Sequence, residues 1–299
     1  MINAKKILIT GKNSYIGTTV REWLMSSKKD YVVDEICLKG DDWCSRNFSN
    51  YDVVFHVAGI AHSDMEESTE ETKELYYKVN TDLAIEVAKK AKLEGICQFV
   101  FMSSIIVYGN SVPFGMKKRI TRDTIPAPDN FYGDSKWKAE IGITALKSDN
   151  FHITIIRPPM VYGKGSKGNY PRLARVAKKV PLFPDVDNER SILYIDNLCE
   201  FIRLVIEDGA EGVFFPQNGE YVKTGELVME IAAVHGKKVR LTKAFNPFLK
   251  ILAKRGGLIS KVFGSLSYDI KLSDYQNDYR VRNFKESIVL TEESPSEGK

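Results

Sequence analysis

The sequence predicts an α/β fold, a doubly wound parallel sheet with a smaller C-terminal lobe. Three observations predict it. Short apolar runs alternate with helical patterns through the first half of the chain. Those runs are continuously apolar, as in VVFHV at 53–57, the mark of strands covered on both faces. The first run meets the first helix at a turn bracketed by Gly11 and Gly17. Right-handed crossovers between such strands give a doubly wound sheet, with ligands at the carboxyl ends of the strands.

The elements follow in order. Residues 6–10 form an apolar strand closed by Gly11, and 16–26 a helix. Residues 31–38 are rich in β-formers, and 53–57 end in Ala58-Gly59. Over 70–94, Leu75, Val79, Leu83, Val87 and Ala91 recur every four residues, which predicts an amphipathic helix. Residues 98–102 read as a strand, 131–146 as a helix, and 153–157 as the strand before Pro158-Pro159. Beyond Pro159 regularity falls. Residues 161–169 have the Gly and Lys content of a loop, and 172–179 form a short basic helix. Asp196 is placed to cap a helix through Glu207, 213–216 form one more strand, and Thr224 is placed to cap a helix over 226–235. The expected division is 1–159 as the main domain with 190–216 returning to its sheet, and 160–189 with 217–290 as the lobe. The polar tail 291–299, with Pro295 and Gly298, is expected to be disordered.

Composition bounds the function. The chain has 299 residues, 43% of them hydrophobic, enough for one large domain plus a lobe. A net charge of +4 favours an anionic ligand mildly, and no basic run interleaved with aromatics points to nucleic acid. Cys37, Cys44, Cys97 and Cys199 are scattered, and the four histidines lack metal-ligand spacing, so the expectation is no metal and a reducing cytoplasm. No apolar run is long enough for a transmembrane segment. Residues 250–266 form a basic apolar segment containing Gly256-Gly257. It reads as a partner or membrane-surface element or, more plainly, as helices packed on the lobe.

Three segments carry chemistry. Thr10-Gly11-Lys12-Asn13-Ser14-Tyr15-Ile16-Gly17 joins a strand to a helix. Gly11 permits a tight turn, Gly17 lets the helix pack close, and the helix N-terminus offers N–H groups to a pyrophosphate. Gly11, Ser14, Tyr15, Ile16 and Gly17 are therefore candidate cofactor contacts. Next, the strand ending at Met102 runs into Ser103-Ser104 and then Val107-Tyr108-Gly109. Third, Tyr132-Gly-Asp-Ser-Lys136 is the only Tyr-x-x-x-Lys in the chain. On a helix both side chains lie on one face, one turn apart. A phenol titrates near about 10 in isolation, and a neighbouring ammonium stabilises its phenolate. Such a pair can pass a proton to or from a hydroxyl.

In this order the three segments resemble the extended branch of the short-chain dehydrogenase/reductase superfamily, the NAD-dependent epimerase/dehydratase family, near its UDP-sugar 4-epimerases and UDP-4-keto-sugar reductases. The resemblance implies a Rossmann domain in which Tyr132, Lys136 and Ser104 are catalytic. Tyr132 transfers the proton, Lys136 lowers its pKa and binds the nicotinamide ribose, and Ser104 orients the substrate oxygen. It also implies cofactor contacts at Ser103, at Ala58 and Gly59 in His56-Val-Ala58-Gly59, at Asn80, and at Pro159 in Arg157-Pro158-Pro159-Met160-Val-Tyr162-Gly163. Arg190, six residues before Asp196, matches a position that in relatives meets a nucleotide diphosphate, and Asn169 is a candidate to join it.

The pattern departs in places. Ser14 stands where a glycine is usual. Lys39 or Gly40 replaces the acid that holds the adenosine ribose in NAD-binding members. Lys39 suits a 2′-phosphate, whereas Asp41 or Asp42 suits the ribose, and the balance leans to NADP over NAD. Ala61, followed by His62, occupies the place of a lysine found in the 4-epimerases, and Met160 that of an asparagine. The resemblance thus implies hydride transfer at C4 of a UDP-sugar, of the N-acetylhexosamine or 4-keto-6-deoxy kind, for surface-polysaccharide synthesis. A 4-ketoreductase leads, a 4-epimerase is the alternative, and a non-catalytic dinucleotide sensor is the competing class. It also implies a homodimer built on helices 70–94 and 131–146.

Overall fold

The computed structural model describes residues 4–61, 69–112, 115–253, 259 and 262–293. β1 (Lys5–Thr10) leads into α1 (Tyr15–Met25), β2 (Tyr31–Ile36), the single turn α2 (Asp42–Ser45) and β3 (Val53–His56). A long helix follows in three pieces: α3 (Glu70–Tyr76), a π-helical turn (Tyr77–Asp82) and α4 (Leu83–Leu93). Then come β4 (Gln98–Met102), a 3-10 turn (Ile105–Tyr108), β5 (Arg119–Ile120), α5 (Phe131–Thr144) and β6 (His152–Ile156). Next in sequence are β7 (Met160–Tyr162), α6 (Asn169–Ala177), β8 (Leu182–Pro184), β9 (Ile192–Tyr194), α7 (Ile195–Glu207) and β10 (Gly212–Phe214). The chain ends with α8 (Thr224–Val234), β11 (Arg240–Thr242), a 3-10 turn (Lys243–Phe245), α9 (Asn246–Ala253), β12 (Ser267–Tyr268) and α10 (Phe284–Glu292).

The chain divides into two compact units. The first comprises Met1–Gly109, Ile125–Pro158 and Leu198–Pro216. Its sheet has the order β10-β6-β4-β3-β1-β2, every pair parallel. β1 is flanked by β2 on one side and β3 on the other, so the winding reverses at β1/β3. That is where an open α/β sheet leaves a crevice at its strand ends. β4 is buried along its whole length, and Phe99–Met102 supply the apolar run that such burial favours. One core layer packs Leu8, Val54, Phe99 and Phe101 of the strands against Val87 and Ala91 of α4 and Ala139 and Ile143 of α5. Gln98 at the start of β4 is the polar exception, and its buried amide donates to Thr154 Oγ1 and the Val205 carbonyl, both at 3.0 Å.

The second unit comprises Asn110–Thr124, Pro159–Asn197 and Gln217–Lys299. It holds three two-stranded parallel pairings, β5 with β12, β7 with β9, and β8 with β11. These pairings place residues 110–124 and 190–197 here, whereas the expected division had 110–124 within the main domain and 190–197 returning to it. Each segment follows its strand partner rather than its chain neighbour. A polar core centres on Tyr162, whose hydroxyl accepts from Asn218 Nδ2 at 3.0 Å and bonds Ser287 Oγ.

Three local expectations are corrected. Lys223, not Thr224, is the N-cap of α8, and Thr224 Oγ1 instead donates to the Val262 carbonyl at 2.7 Å. Asp196 lies inside the first turn of α7. Thr291 and Glu292 close α10, where Glu292 pairs with Lys178 at 2.9 Å and His235 at 2.7 Å, so the tail begins ordered. Residues 294–299, His62 and most of 254–261 lie outside the described residues.

Candidate active site

The glycine turn sits at the β1/β3 crevice. Gly11 has φ +98°, and a Cβ there would meet the Ala58 backbone nitrogen at 2.9 Å. Asn13 takes the other left-handed position, with φ 64°. Ser14 has an ordinary φ of −75°, and its hydroxyl caps α1 by accepting from the Gly17 N–H at 3.2 Å. The departure from glycine at Ser14 therefore brings no strain and gives the helix an N-cap. Gly17 is required by that cap, since a Cβ would lie 2.6 Å from Ser14 Oγ. The Gly11 and Lys12 N–H groups both donate to the Ile36 carbonyl, which ties the turn to the end of β2. Lys39 and Asp42 follow as exposed residues.

Tyr132 and Lys136 lie in the first two turns of α5, which Asn130 caps by accepting from the Gly133 N–H at 2.9 Å. The helix comes close to the turn after β4, because Gly133 has no Cβ. One built there would meet the Ile106 carbonyl oxygen at 2.7 Å. Ser104 starts that turn, its hydroxyl accepting from the Ile106 N–H at 3.3 Å. The Tyr132 ring is tilted against Tyr76, centroids 6.1 Å apart.

Lys136 is buried, 5% exposed, and its Nζ donates to the Met102 carbonyl at 2.9 Å. Burial lowers its pKa to about 8, a shift partly opposed by Glu140 one turn on. Gly59 leaves the lysine room, since a Cβ there would sit 2.9 Å from Asn80 Oδ1 and 3.2 Å from Lys136 Nζ. Asn80, in the π-helical turn, accepts from the Ile60 N–H at 2.8 Å and donates to the Ile60 carbonyl and Ser135 Oγ, each at 3.1 Å. Its amide thus ties the loop after β3 to the Tyr-Lys helix. A π-turn at such a place is a frequent companion of functional sites.

Sequence reasoning missed a buried network behind the lysine. Ser103 Oγ donates to Glu140 Oε1, and Arg157 Nε donates to both Glu140 oxygens at 3.1 Å. Arg157 Nη1 donates to the Tyr108 hydroxyl at 2.5 Å. The signal for Glu140 was present: an acid four residues after Lys136 shares its helix face.

The second unit holds a cavity of about 260 Å³. Asn169 and Arg190 both line it, with Met160, Arg172, Phe183 and Phe263 among their neighbours. Arg172 was not anticipated. Arg190 Nη1 donates to the Gly264 carbonyl at 3.3 Å, and desolvation lowers its pKa to about 10, so the guanidinium stays charged near neutrality. Apolar walls with two guanidinium groups suit a flat ring carrying a phosphate ester.

The profile of the NAD dependent epimerase/dehydratase family matches residues 7–215. The chain is also 34% identical over 292 residues to a UDP-glucose 4-epimerase of Vibrio cholerae, covering 89% of this chain and 88% of that one. The chain belongs to the NAD dependent epimerase/dehydratase family. A second relative in sequence is the N-acetyl-alpha-D-glucosaminyl-diphospho-ditrans,octacis-undecaprenol 4-epimerase of Escherichia coli O157:H7, 25% identical over 78% of this chain and 73% of that one. The fold is that of the UDP-glucuronic acid 4-epimerase of Bacillus cereus solved with NAD, with a TM-score of 0.72, 18% identity and 95% and 96% of the two chains covered. In this epimerase/dehydratase family member the glycine turn, Ser104 and the Tyr132–Lys136 helix all lie in the first unit. No described helix is long and apolar enough to cross a membrane.

Proposed function

We propose that this chain is a nucleotide-sugar 4-epimerase acting at C4 of a UDP-linked sugar. The observation that carries the reading is the packing of the Tyr132–Lys136 helix, through Gly133, on the turn that Ser104 begins. The 34% identity to a UDP-glucose 4-epimerase over most of both chains supports the direction. The first unit fits a dinucleotide. Its glycine turn and α1 N-terminus lie at the β1/β3 switch, and buried Lys136 lies beside Gly59. A bound nicotinamide supplies the acceptor and donor of hydride at C4.

The residues do the rest. Tyr132 takes the proton from the C4 hydroxyl as C4 is oxidised, and returns it when the ketone is reduced on the opposite face. Lys136, protonated below about pH 8, stabilises the phenolate form of Tyr132. Ser104 donates to the C4 oxygen and holds it for transfer. Taken by itself, the cavity of the second unit has in Arg190, Arg172 and Asn169 a lining whose chemistry suits a nucleotide diphosphate. Dimerisation through α5 and the long helix before it belongs to the same proposal.

A 4-ketoreductase using NADP is the second reading, favoured by Lys39 beyond β2 and by Ala61 after Gly59. One experiment separates them. Purified enzyme is incubated with UDP-glucose, UDP-N-acetylglucosamine and a UDP-4-keto-6-deoxy sugar, with and without NADPH, and products are read by NMR. Interconversion of C4 epimers without added cofactor supports the epimerase, and net NADPH consumption the reductase. Neither activity on any of them, with dinucleotide binding intact, rejects both. Tyr132→Phe is expected to lower turnover by about 10²–10⁴-fold while dinucleotide binding persists.

A further inference from the structure

We propose that the second unit carries a docking face for an anionic membrane surface, made of the β8/β11 ribbon, the 3-10 turn Lys243–Phe245 and α9, and bordered by α6. The face is apolar where a soluble surface is usually polar. Phe248 is 62% exposed and Ile251 60%, and Phe245 and Leu182 are exposed beside them in the chain and the ribbon. Phe248 and Ile251, three residues apart, lie on one side of α9, away from the buried Leu249, and Phe245 ends the turn before it. The ribbon joins these parts. Leu182 pairs with Arg240, the Arg240 N–H donates to the Pro181 carbonyl at 3.0 Å, and Asn246 Nδ2 donates to the Asp185 carbonyl at 2.8 Å. At the end of α6, Lys237 Nζ donates to the Lys178 carbonyl.

The charge on this face is mostly positive, with the half-buried Asp185 at the end of β8 as an exception. From residue 231 to 253 the sequence has five lysines and arginines and no aspartate or glutamate, and from 159 to 184 it has six and again none. Arg175, Lys179, Lys237, Lys238, Arg240, Lys243 and Lys250 are all exposed. Glu292 neutralises Lys178 at the border, at 2.9 Å. The whole chain has a net charge of only +4, so this basic density is concentrated rather than general. Large apolar side chains beside lysines are what an interface of lipid phosphates and acyl chains recognises: the rings and aliphatics enter the headgroup boundary while the ammonium groups stay at the phosphates. A second copy of the chain is a poor occupant, because a two-fold contact would set lysines against lysines. A nucleic acid would meet the charge but leave Phe248 and Ile251 in water.

The test is cosedimentation of the full chain with vesicles, without nucleotide sugar or cofactor, so its outcome is independent of the catalytic reading. Vesicles of equal parts phosphatidylglycerol and phosphatidylcholine are expected to retain the protein at low salt, and pure phosphatidylcholine or high salt to release it. F248S combined with I251S is expected to weaken retention more than about tenfold. Lys243→Gln and Lys250→Gln are each expected to weaken it about fivefold at low salt. Both residues are surface positions, so unchanged thermal melting shows that each variant still folds. Absence of wild-type retention overturns the proposal, as does equal retention on the uncharged vesicles. Retention that resists the Phe248 and Ile251 changes, with equal capture on heparin, marks a polyanion site instead. Conversion of a dimer to a monomer by those changes, with vesicle retention intact, marks a contact between copies.

Discussion

Arg157 and Glu140 form an ion pair removed from water, with Nη2 and Oε2 2.5 Å apart and side chains 7% and 2% exposed. The pair stands one helical turn beyond Lys136 and holds Ser103 through the same carboxylate. Breaking such a pair by removing one partner costs more than the pair contributes, because a charge is left buried alone. Glu140→Gln is therefore expected to destabilise the protein by about 3–5 kcal/mol in denaturant unfolding. Losing the carboxylate also removes the one influence that raises the Lys136 pKa, so the alkaline limb of the kcat profile, expected near pH 8, should move lower. A variant that unfolds more easily but keeps its alkaline limb would confine Glu140 to a structural role.

Lys136 is costly to the fold that holds it. Its folded pKa of about 8 lies below the ordinary value of 10.5. Below pH 8 both folded and unfolded states carry the proton, and the full cost of burying a charge is present. The cost fades as pH rises from about 8 toward the unfolded value. Lys136→Met is expected to abolish turnover and raise the melting temperature at pH 7 by several degrees, a gain that shrinks above pH 8. Calorimetry at two pH values checks the sign.

His56 should make the fold sensitive to acid. The ring is wholly buried, stacked on Phe99 and Phe101 with centroids 5.8 and 5.9 Å away, and its Nδ1 meets Thr10 Oγ1 at 2.9 Å. Burial, then the nearby Lys136 charge, push its pKa down to about 3. The stability tied to the neutral ring is present above the unfolded value of 6.5 and is lost as pH falls toward 3. Between pH 7 and 5 that amounts to about 2 kcal/mol. His56→Leu loses the Thr10 contact, yet its stability should fall less steeply over that range.

The close approach at Gly133 tests whether the serine turn and the Tyr-Lys helix work as a unit. A methyl group there would meet the Ile106 carbonyl, which is backbone and cannot rotate away. Gly133→Ala is expected to cost about 1–3 kcal/mol of stability. It should reduce kcat by shifting Ser104 relative to Tyr132, with little change in dinucleotide affinity. Equal losses in kcat and cofactor affinity would point to general unfolding of the site.

Much of the first unit was legible because its signals are local. The apolar run at 99–102 becomes β4 together with Gln98, since a strand buried on both faces favours such a pattern. The helix over 70–94 was foreseen, but not the π-turn within it. That turn is associated with Asn80, whose amide bonds Ile60 and Ser135 far along the chain. The site divides in the same way. Tyr132 and Lys136 are visible as a spacing, while Glu140 joins them through Arg157 and Ser103, which lie 17 and 37 residues away. The second unit was read least well, because β5, β7, β8 and β9 are two or three residues long and owe their pairing to distant partners.

The sequence by itself determined the parallel sheet, the glycine turn and the Tyr-Lys pair, because hydrophobic period, turn chemistry and helical spacing act over a few residues. Only the tertiary structure decided how Lys136 is tuned, where residues 110–124 and 190–197 belong, and that Ser14 serves as a helix cap. Desolvation, strand pairing and close backbone approach depend on residues brought together from far apart in the chain, and no short window of sequence contains them.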